Sequence, residues 1–406
     1  MRILLVHNHY KISAGEDTVF FAEAALLEQH GHEVEKLTVS NNDVNTLSEK
    51  LKSALGVVYN TASANKLEKK ILSFQPDVVH VHNFFPLLSP AIFYVARKHK
   101  VPVVMTLHNY RLICPSAYLH YNGRVHMENV QKIFPMAAVM EGAYRNSKVE
   151  TASVVLATGV HKLLGTWKKN VDRFITLTSG AAELFLNSSL NLKPQQLVVK
   201  PNFTADLGLS TSEGEDFLLY VGRLSPEKGV DTLLRASEKY PFRLKIIGDG
   251  SLREEVEEHA AKHAHVEYLG YQKLDSVVQE LKNCRALVFP SEWPEMFGMS
   301  IIEAFSTGTP VVGANIGGAA QLVQEGYNGL LYTPGSAEEL IQKVKLILED
   351  SALVEKMGRG ARASYEAYYT PEQNYRMLLK IYEDVITEKK KHTSSAPAPT
   401  EASLLN

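Results

Sequence analysis

Ala286-Leu-Val-Phe-Pro-Ser-Glu-Trp-Pro-Glu-Met-Phe-Gly-Met-Ser-Ile-Ile-Glu-Ala304 places a strand, a loop and a helix start in one short stretch. Ala286–Phe289 is a brief apolar run of the kind that forms a buried parallel strand. Pro290 and Pro294 bracket a polar loop, and a helix is expected from Met299, just after Gly298. Free backbone N–H groups at such a helix start suit phosphate or sugar oxygens. Glu295 lies in the loop and Glu303 within the helix. Both carboxylates are strong acceptors for sugar hydroxyls. Their apolar neighbours Phe297, Met299, Ile301, Ile302 and Phe305 argue against free exposure.

The same alternation extends in both directions. Phe217–Val221, Leu244–Ile247, Val266–Leu269 and Pro310–Val312 read as strands, and 229–239, 251–263, 299–306 and 337–349 as helices. Upstream, Arg2–Val6, His32–Val39, Asp77–His82, Pro102–His108 and Phe174–Leu177 read as strands. Helices are expected over 16–30, 67–74, 90–99, 151–164 and 180–187, with an extended segment at Leu197–Asn202. Strands alternating with helices imply α/β architecture with parallel sheets covered on both faces. Two doubly wound domains facing a cleft are expected, 1–205 and 206–370, joined through the polar interval Ser210–Asp216. Ligands in such folds sit beyond the carboxyl ends of the strands. A helix over 371–388 opens with Pro371, and the Lys, Ser, Ala, Pro and Thr of 389–406 are expected to be a disordered tail.

Composition sets limits. At 406 residues the chain is long enough for two cores. A net charge of −2 gives no general attraction to nucleic acid. Two distant cysteines, Cys114 and Cys284, form no metal or disulfide pattern. MRILLVHNHY does not read as a signal peptide, and no apolar run approaches the ~20 residues of a membrane span. The expected compartment is the cytoplasm.

Three further segments carry chemistry. In Tyr220-Val-Gly-Arg-Leu-Ser-Pro-Glu-Lys-Gly229 a strand end is followed by Gly222 and the cations Arg223 and Lys228. A guanidinium fork and an ammonium point charge are what a diphosphate needs as partners. Ile247-Gly-Asp-Gly250 places Gly248 and Gly250 at another strand end, where a ligand can approach the backbone. Gly313-Ala-Asn-Ile-Gly-Gly318 supplies one more glycine loop.

In order, GRLSPEKG, IGDGSLREEVE, EYLG, FPSEWPEMFGMSIIEA, GTPVV, GG and GYNGLLY resemble the donor domain of family-4 (group 1) retaining glycosyltransferases across residues 217–350. Glu295 and Glu303 form the family's E-x7-E pair. The resemblance implies the GT-B fold, with two Rossmann-like domains and the last helix returning to the first. It implies that Arg223 and Lys228 bind the donor diphosphate, and that Glu295 holds the transferred sugar with backbone N–H groups of Met296, Phe297, Gly298 and Met299. Glu303 would bind the ribose, and the segment around Tyr268 would lie near the base. Gly15 and Glu16, in Ser13-Ala-Gly-Glu16, resemble the family's phosphate loop. His108 and Asn109, in His108-Asn-Tyr-Arg-Leu-Ile-Cys-Pro115, resemble a segment near the sugar. Two departures stand out: Ala14 replaces a first glycine, and Gln321 stands where a glutamate is usual.

The implied reaction moves a hexose-type sugar from a UDP- or GDP-sugar to a glycan or lipid-linked acceptor hydroxyl, in polysaccharide, glycolipid or other glycoconjugate biosynthesis. No cofactor and no metal are expected, since the cations take that role. A non-catalytic nucleotide-sugar-binding protein or a GT-B epimerase is the alternative. A nicotinamide dehydrogenase does not fit, because no G-x-G-x-x-G follows the first strand. Residues 141–170 carry Arg145, Lys148, His161, Lys162, Lys168 and Lys169 around an apolar stretch. That pattern suits either a peripheral membrane contact at the inner face or a core helix with a solvated edge.

Overall fold

The computed structural model describes residues 1–9, 15–40, 58–210 and 215–394. The first unit runs β1 (Arg2–His9), α1 (Gly15–Gln29), β2 (Glu33–Ser40), α2 (Thr61–Phe74), β3 (Val78–Val81), α3 (Ala91–Lys98) and β4 (Val103–Thr106). A small antiparallel pair, β5 (His120–Tyr121) and β6 (Arg124–Val125), follows. Next come α4 (Met136–Met140), α5 (Lys148–Leu163) and α6 (Thr166–Asn170), then β7 (Arg173–Thr176), α7 (Ser179–Leu186) and β8 (Leu197–Val199). Its sheet has the order β2-β1-β3-β4-β7-β8, with every pair parallel.

The second unit repeats the plan. It runs β9 (Leu218–Val221), α8 (Val230–Lys239), β10 (Leu244–Ile247), α9 (Arg253–Lys262), β11 (Val266–Gly270), α10 (Leu274–Asn283), β12 (Ala286–Phe289) and α11 (Met299–Thr307). It ends with β13 (Val311–Ala314), α12 (Gly317–Leu322), β14 (Gly329–Tyr332), α13 (Ala337–Glu349) and α14 (Ser351–Tyr368). The order β11-β10-β9-β12-β13-β14 is again parallel throughout. Short apolar strands such as Val103–Thr106 and Ala286–Phe289 are buried along their whole length, as helices on both faces require.

In each sheet the strand order reverses at the centre, beside β1 and β3 in the first and β9 and β12 in the second. Crevices open at such reversals beyond the carboxyl ends of the strands. The start of α1 and the segments after β9 and β12 therefore meet at one cleft, and one hydrophobic cluster reaches across it, joining Leu107 and Tyr110 to Trp293, Met296 and Phe297.

The last helix, α15 (Pro371–Ser394), crosses back to the first sheet. Leu378, Ile381, Tyr382 and Val385 pack against Ile3, Leu5, Phe20 and Val104. Charge pairs continue the contact: Arg173 Nη2 lies 2.7 Å from Glu388 Oε1, and Lys389 Nζ 3.0 Å from Asp172 Oδ1. The tail expected from 389 is thus helical as far as Ser394, because its first lysine has a carboxylate to meet. The rest of that tail, 395–406, lies outside the described residues, as do 211–214 of the expected linker.

Candidate active site

Four strand ends, those of β9, β10, β12 and β13, supply the second unit's share. After β9, the chain turns through Gly222 and Arg223 into a single turn at Pro226–Lys228. After β12, the loop 290–298 carries Glu295 to the mouth of α11. Lys228 Nζ donates to Glu295 Oε1 at 2.7 Å, and Ser291 Oγ donates to the same oxygen. Lys228 also lies over the rings of Trp293 and Phe289, at 5.8 and 5.9 Å from the centroids. Arg223 pairs with Glu227 at 3.0 Å and sits 5.7 Å from the Tyr118 ring. Burial works against its charge, but Tyr118, Glu227 and Glu295 outweigh it and hold the guanidinium above its ordinary range.

Glycines allow this crowding. A Cβ at Gly248 would fall 1.8 Å from the Gly222 carbonyl oxygen, and one at Gly318 would fall 2.0 Å from that of Phe297. The Gly318 N–H donates to Glu295 O at 2.7 Å, so the late glycine loop clamps the Glu295 loop directly. Gly250 likewise abuts the Leu224 carbonyl.

The first unit faces this set. A Cβ on Gly15 would lie 3.8 Å from Met299 Cγ, so the starts of α1 and α11 confront each other across the cleft. Ser13 and Ala14 lie outside the described residues. Glu16 accepts from Asn83 Nδ2 at 3.0 Å and Asn109 Nδ2 at 3.3 Å. Burial and then the charge of Asp17 push its carboxyl up to about 8. Tyr118 meets Trp293 edge-on at 4.9 Å, joining the two units over Lys228. Tyr110 is buried nearby, and Glu295's charge adds to burial in raising its hydroxyl.

Three expected residues sit differently. Among the described residues Glu303 has no hydrogen-bond or ion-pair partner, and burial alone pushes it up to about 7. It follows Met299 by four positions and so shares that face of α11. Tyr268 is engaged within its own unit, its hydroxyl donating to Gly248 O at 3.0 Å. His108 bonds to His82 at 3.1 Å rather than to any group of the second unit. Burial, followed by the charge of His82, holds it well below the usual histidine range.

Sequence reasoning missed Ser291, Trp293 and Tyr118, none of which carries a charge to draw attention. It also missed a histidine-rich floor. Glu23, His80 and His82 bring ligand atoms within 4.8 Å of one another, as do His7, His9 and Asp17. Lys200 Nζ lies 2.6 Å from Glu23 Oε1, so an ammonium already supplies positive charge at the first group. In the second, both rings share Asp17 Oδ1, at 2.9 and 2.6 Å. Gln321, the departure from the family pattern, accepts from Ser179 Oγ at 2.6 Å and Gly180 N at 3.2 Å, so it ties α12 to α7 in the other unit.

Paired sheets, facing strand ends and a cleft floored by cations and carboxylates define a GT-B fold. The description "Glycosyl transferases group 1" matches residues 208–364, and "Glycosyltransferase Family 4" matches residues 15–203. The chain belongs to the family-4, group 1 glycosyltransferases. It is 31% identical over 198 residues to an uncharacterized glycosyltransferase of Methanocaldococcus jannaschii, covering 48% of this chain and 55% of that protein. It is 27% identical over 320 residues to the sulfoquinovosyl transferase SQD2 of Arabidopsis thaliana, covering 76% and 56%. The chain thus spans just over half the length of these two relatives. Among solved structures, Anabaena HepE in complex with UDP superposes with TM-score 0.68 at 19% identity, over 95% of this chain and 100% of that one. Sucrose-phosphate synthase from Thermosynechococcus elongatus gives 0.70 at 18% identity, over 95% and 99%.

Proposed function

We propose that the chain transfers a sugar from a nucleoside diphosphate sugar, bound in the cleft, to an acceptor hydroxyl with retention at the anomeric carbon. The observation that carries the reading is the Lys228–Glu295 pair beside Arg223, opposite the start of α1. A departing diphosphate develops charge on its oxygens, and preorganised cations in a partly dry cleft stabilise that charge. Arg223 and Lys228 fill that role without a metal cofactor. Glu295, held by Ser291 and Lys228, accepts from hydroxyls of the transferred sugar. Glu303 accepts from the ribose, and the segment after β11 borders the base. The departing phosphate itself takes the acceptor proton, so no covalent nucleophile is needed. Solved neighbours hold UDP and UDP-glucose, which supports a uridine donor first.

The acceptor enters from the first unit, as a glycan or a lipid-linked glycan. An exposed stripe supports the lipid-linked form. Val149, Leu156 and Leu163 recur every seven residues on α5, beside exposed Met136 and Met140. Lys132, Arg145, Lys148, Lys168 and Lys169 surround them, all exposed. Apolar side chains ringed by cations suit the face of an anionic bilayer. Among the described residues no helix is long and apolar enough to cross a membrane, so contact would be peripheral.

The test is incubation with a panel of UDP-, GDP- and ADP-sugars, following slow nucleotide release and the anomeric configuration of the product by proton NMR. Release from one donor with retained configuration supports the reading. Binding without turnover would make the chain a nucleotide-sugar-binding protein, and inversion would remove the retaining mechanism.

A further inference from the structure

Beneath His108 runs a row of buried groups that donor binding does not use. Glu23 on α1 and Lys200 just after β8 are both fully buried, with Nζ 2.6 Å from Oε1. Burial alone would raise the Glu23 carboxyl, but Lys200, followed by His82, holds it well below its usual range, so it is ionised. Its other oxygen, Oε2, faces His82 Nε2 at 3.4 Å, a charge contact rather than a closed hydrogen bond, and among the described residues neither atom has a hydrogen-bond partner. His82 Nδ1 lies 3.1 Å from His108 Nε2, with the two rings stacked 5.3 Å apart. His108 Nδ1 has no protein partner among the described residues.

With every imidazole in the row neutral, one arrangement of protons satisfies it. A neutral imidazole donates from one nitrogen and accepts at the other. Ionised Glu23 offers only lone pairs, so the His82 proton belongs on Nε2, since the other tautomer sets lone pair against carboxylate. His82 Nδ1 is then an acceptor, and His108 must carry its proton on Nε2 to reach it. His108 Nδ1 is left as a lone pair. We propose that Lys200, Glu23 and His82 are positioning residues that fix His108 as a hydrogen-bond acceptor at Nδ1, favouring donors with a sugar hydroxyl at that place.

This rests on the donor-site reading of His108. His80 anchors the row from behind. It bonds the Tyr382 hydroxyl at 2.7 Å and Thr106 Oγ1 at 2.8 Å, and its Nδ1 stands 4.0 Å from Glu23 Oε2. The row is thereby tied to α15. Burial keeps His80 and His108 below the ordinary histidine range, so the tautomers, rather than a charge, carry the order.

Histidine-15N spectra of the full chain, assigned with His82→Gln and His108→Gln, read the tautomers directly. Protons on Nε2 of both His82 and His108 are expected at about pH 8, where an ordinary imidazole is neutral. The double variant Glu23→Gln/Lys200→Met keeps the buried pair neutral but removes the carboxylate. In it His108 should become a mixture of tautomers. Its kcat for donor hydrolysis should fall about tenfold, the lower end of the effect known for partners of metal-ligating histidines, with UDP affinity unchanged. A proton on Nδ1 of wild-type His108 overturns the proposal, as do unchanged tautomers and kcat in the double variant. Should the double variant fail to fold, the wild-type spectrum decides. A wild-type protein that turns over no nucleotide sugar removes the donor reading and with it the selection of a hydroxyl, while the spectrum still decides the order of hydrogen bonds.

Discussion

Replacing Glu303 by glutamine should stabilise the free protein and weaken nucleotide binding. Burial moves this carboxyl from an ordinary 4.5 up to about 7, with no donor among the described residues to offset it. At about 1.4 kcal/mol per tenfold in the proton equilibrium, that is ~3 kcal/mol against the ionised form. Glu303 is partly exposed, and solvent screening reduces the figure to ~1–2 kcal/mol. The unfolded chain releases this proton near 4.5 and the folded chain near 7, so wild-type stability falls as pH rises through that window. Glu303→Gln escapes the loss and should melt ~2–4 °C higher at pH 8, with little difference at pH 5. On the proposed assignment, ribose hydroxyls donate to the ionised carboxylate. Hydrogen bonds to charged groups contribute ~1.5–3 kcal/mol, so UDP should bind ~10–100-fold more weakly to the variant at pH 8. The wild-type advantage should shrink toward pH 6. The nucleotide's own phosphate also titrates near pH ~6, but it is common to both proteins, so the ratio of affinities isolates Glu303. Calorimetric titration across this range is the assay. Equal affinities at pH 8, or a ratio that ignores pH, would refute the reasoning.

Other expectations are equally concrete. Lys200→Met should cost ~3–5 kcal/mol by leaving Glu23 buried and unpaired. With the ammonium gone, burial raises the Glu23 carboxyl, so this variant should melt higher at pH 5 than at pH 8. Wild-type Glu23, held low, contributes stability above the ordinary carboxylate range that is lost only in strong acid. Gly318→Ala drives a Cβ to 2.0 Å from the Phe297 carbonyl, so it should destabilise by ~1–3 kcal/mol in urea and displace the Glu295 loop, lowering donor turnover. Val149→Glu/Leu156→Glu should abolish salt-sensitive cosedimentation with anionic vesicles at an unchanged melting temperature. Wild-type protein that never sediments with such vesicles removes the membrane reading.

Local pattern carried much of the fold. Runs such as Leu244–Ile247 and Ala286–Phe289 are apolar because both faces are covered, and they end where the strands end. Elements without that contrast went unread. In α14, Gly358 and Gly360 look like helix breaks, but a Cβ at Gly360 would sit 2.0 Å from Tyr327 O, so the glycine serves close packing inside a helix. The pattern marks no element over α10 or the hairpin β5–β6 either. The cleft groups of the second unit were legible because Lys228, Glu295 and their glycines lie in short, ordered motifs. The row from Lys200 to His108 was not, because Glu23 and Lys200 stand 177 positions apart and meet only through sheet topology. Gln321 shows the same limit: its missing charge is visible in the sequence, its bond to α7 only in space.

The central claim is that Lys228 and Glu295 form the donor site, and one comparison tests it most directly. Wild type and Lys228→Ala are given the donor identified from the panel, and nucleoside diphosphate release is timed in a single turnover. The Lys228–Glu295 pair is mostly buried, but Ser291 still donates to Glu295 in the variant, so Lys228→Ala should lose ~1–3 kcal/mol and melt a few degrees lower while remaining folded. The account predicts that release is nearly abolished in the variant. Release at the wild-type rate from a folded Lys228→Ala protein would contradict it.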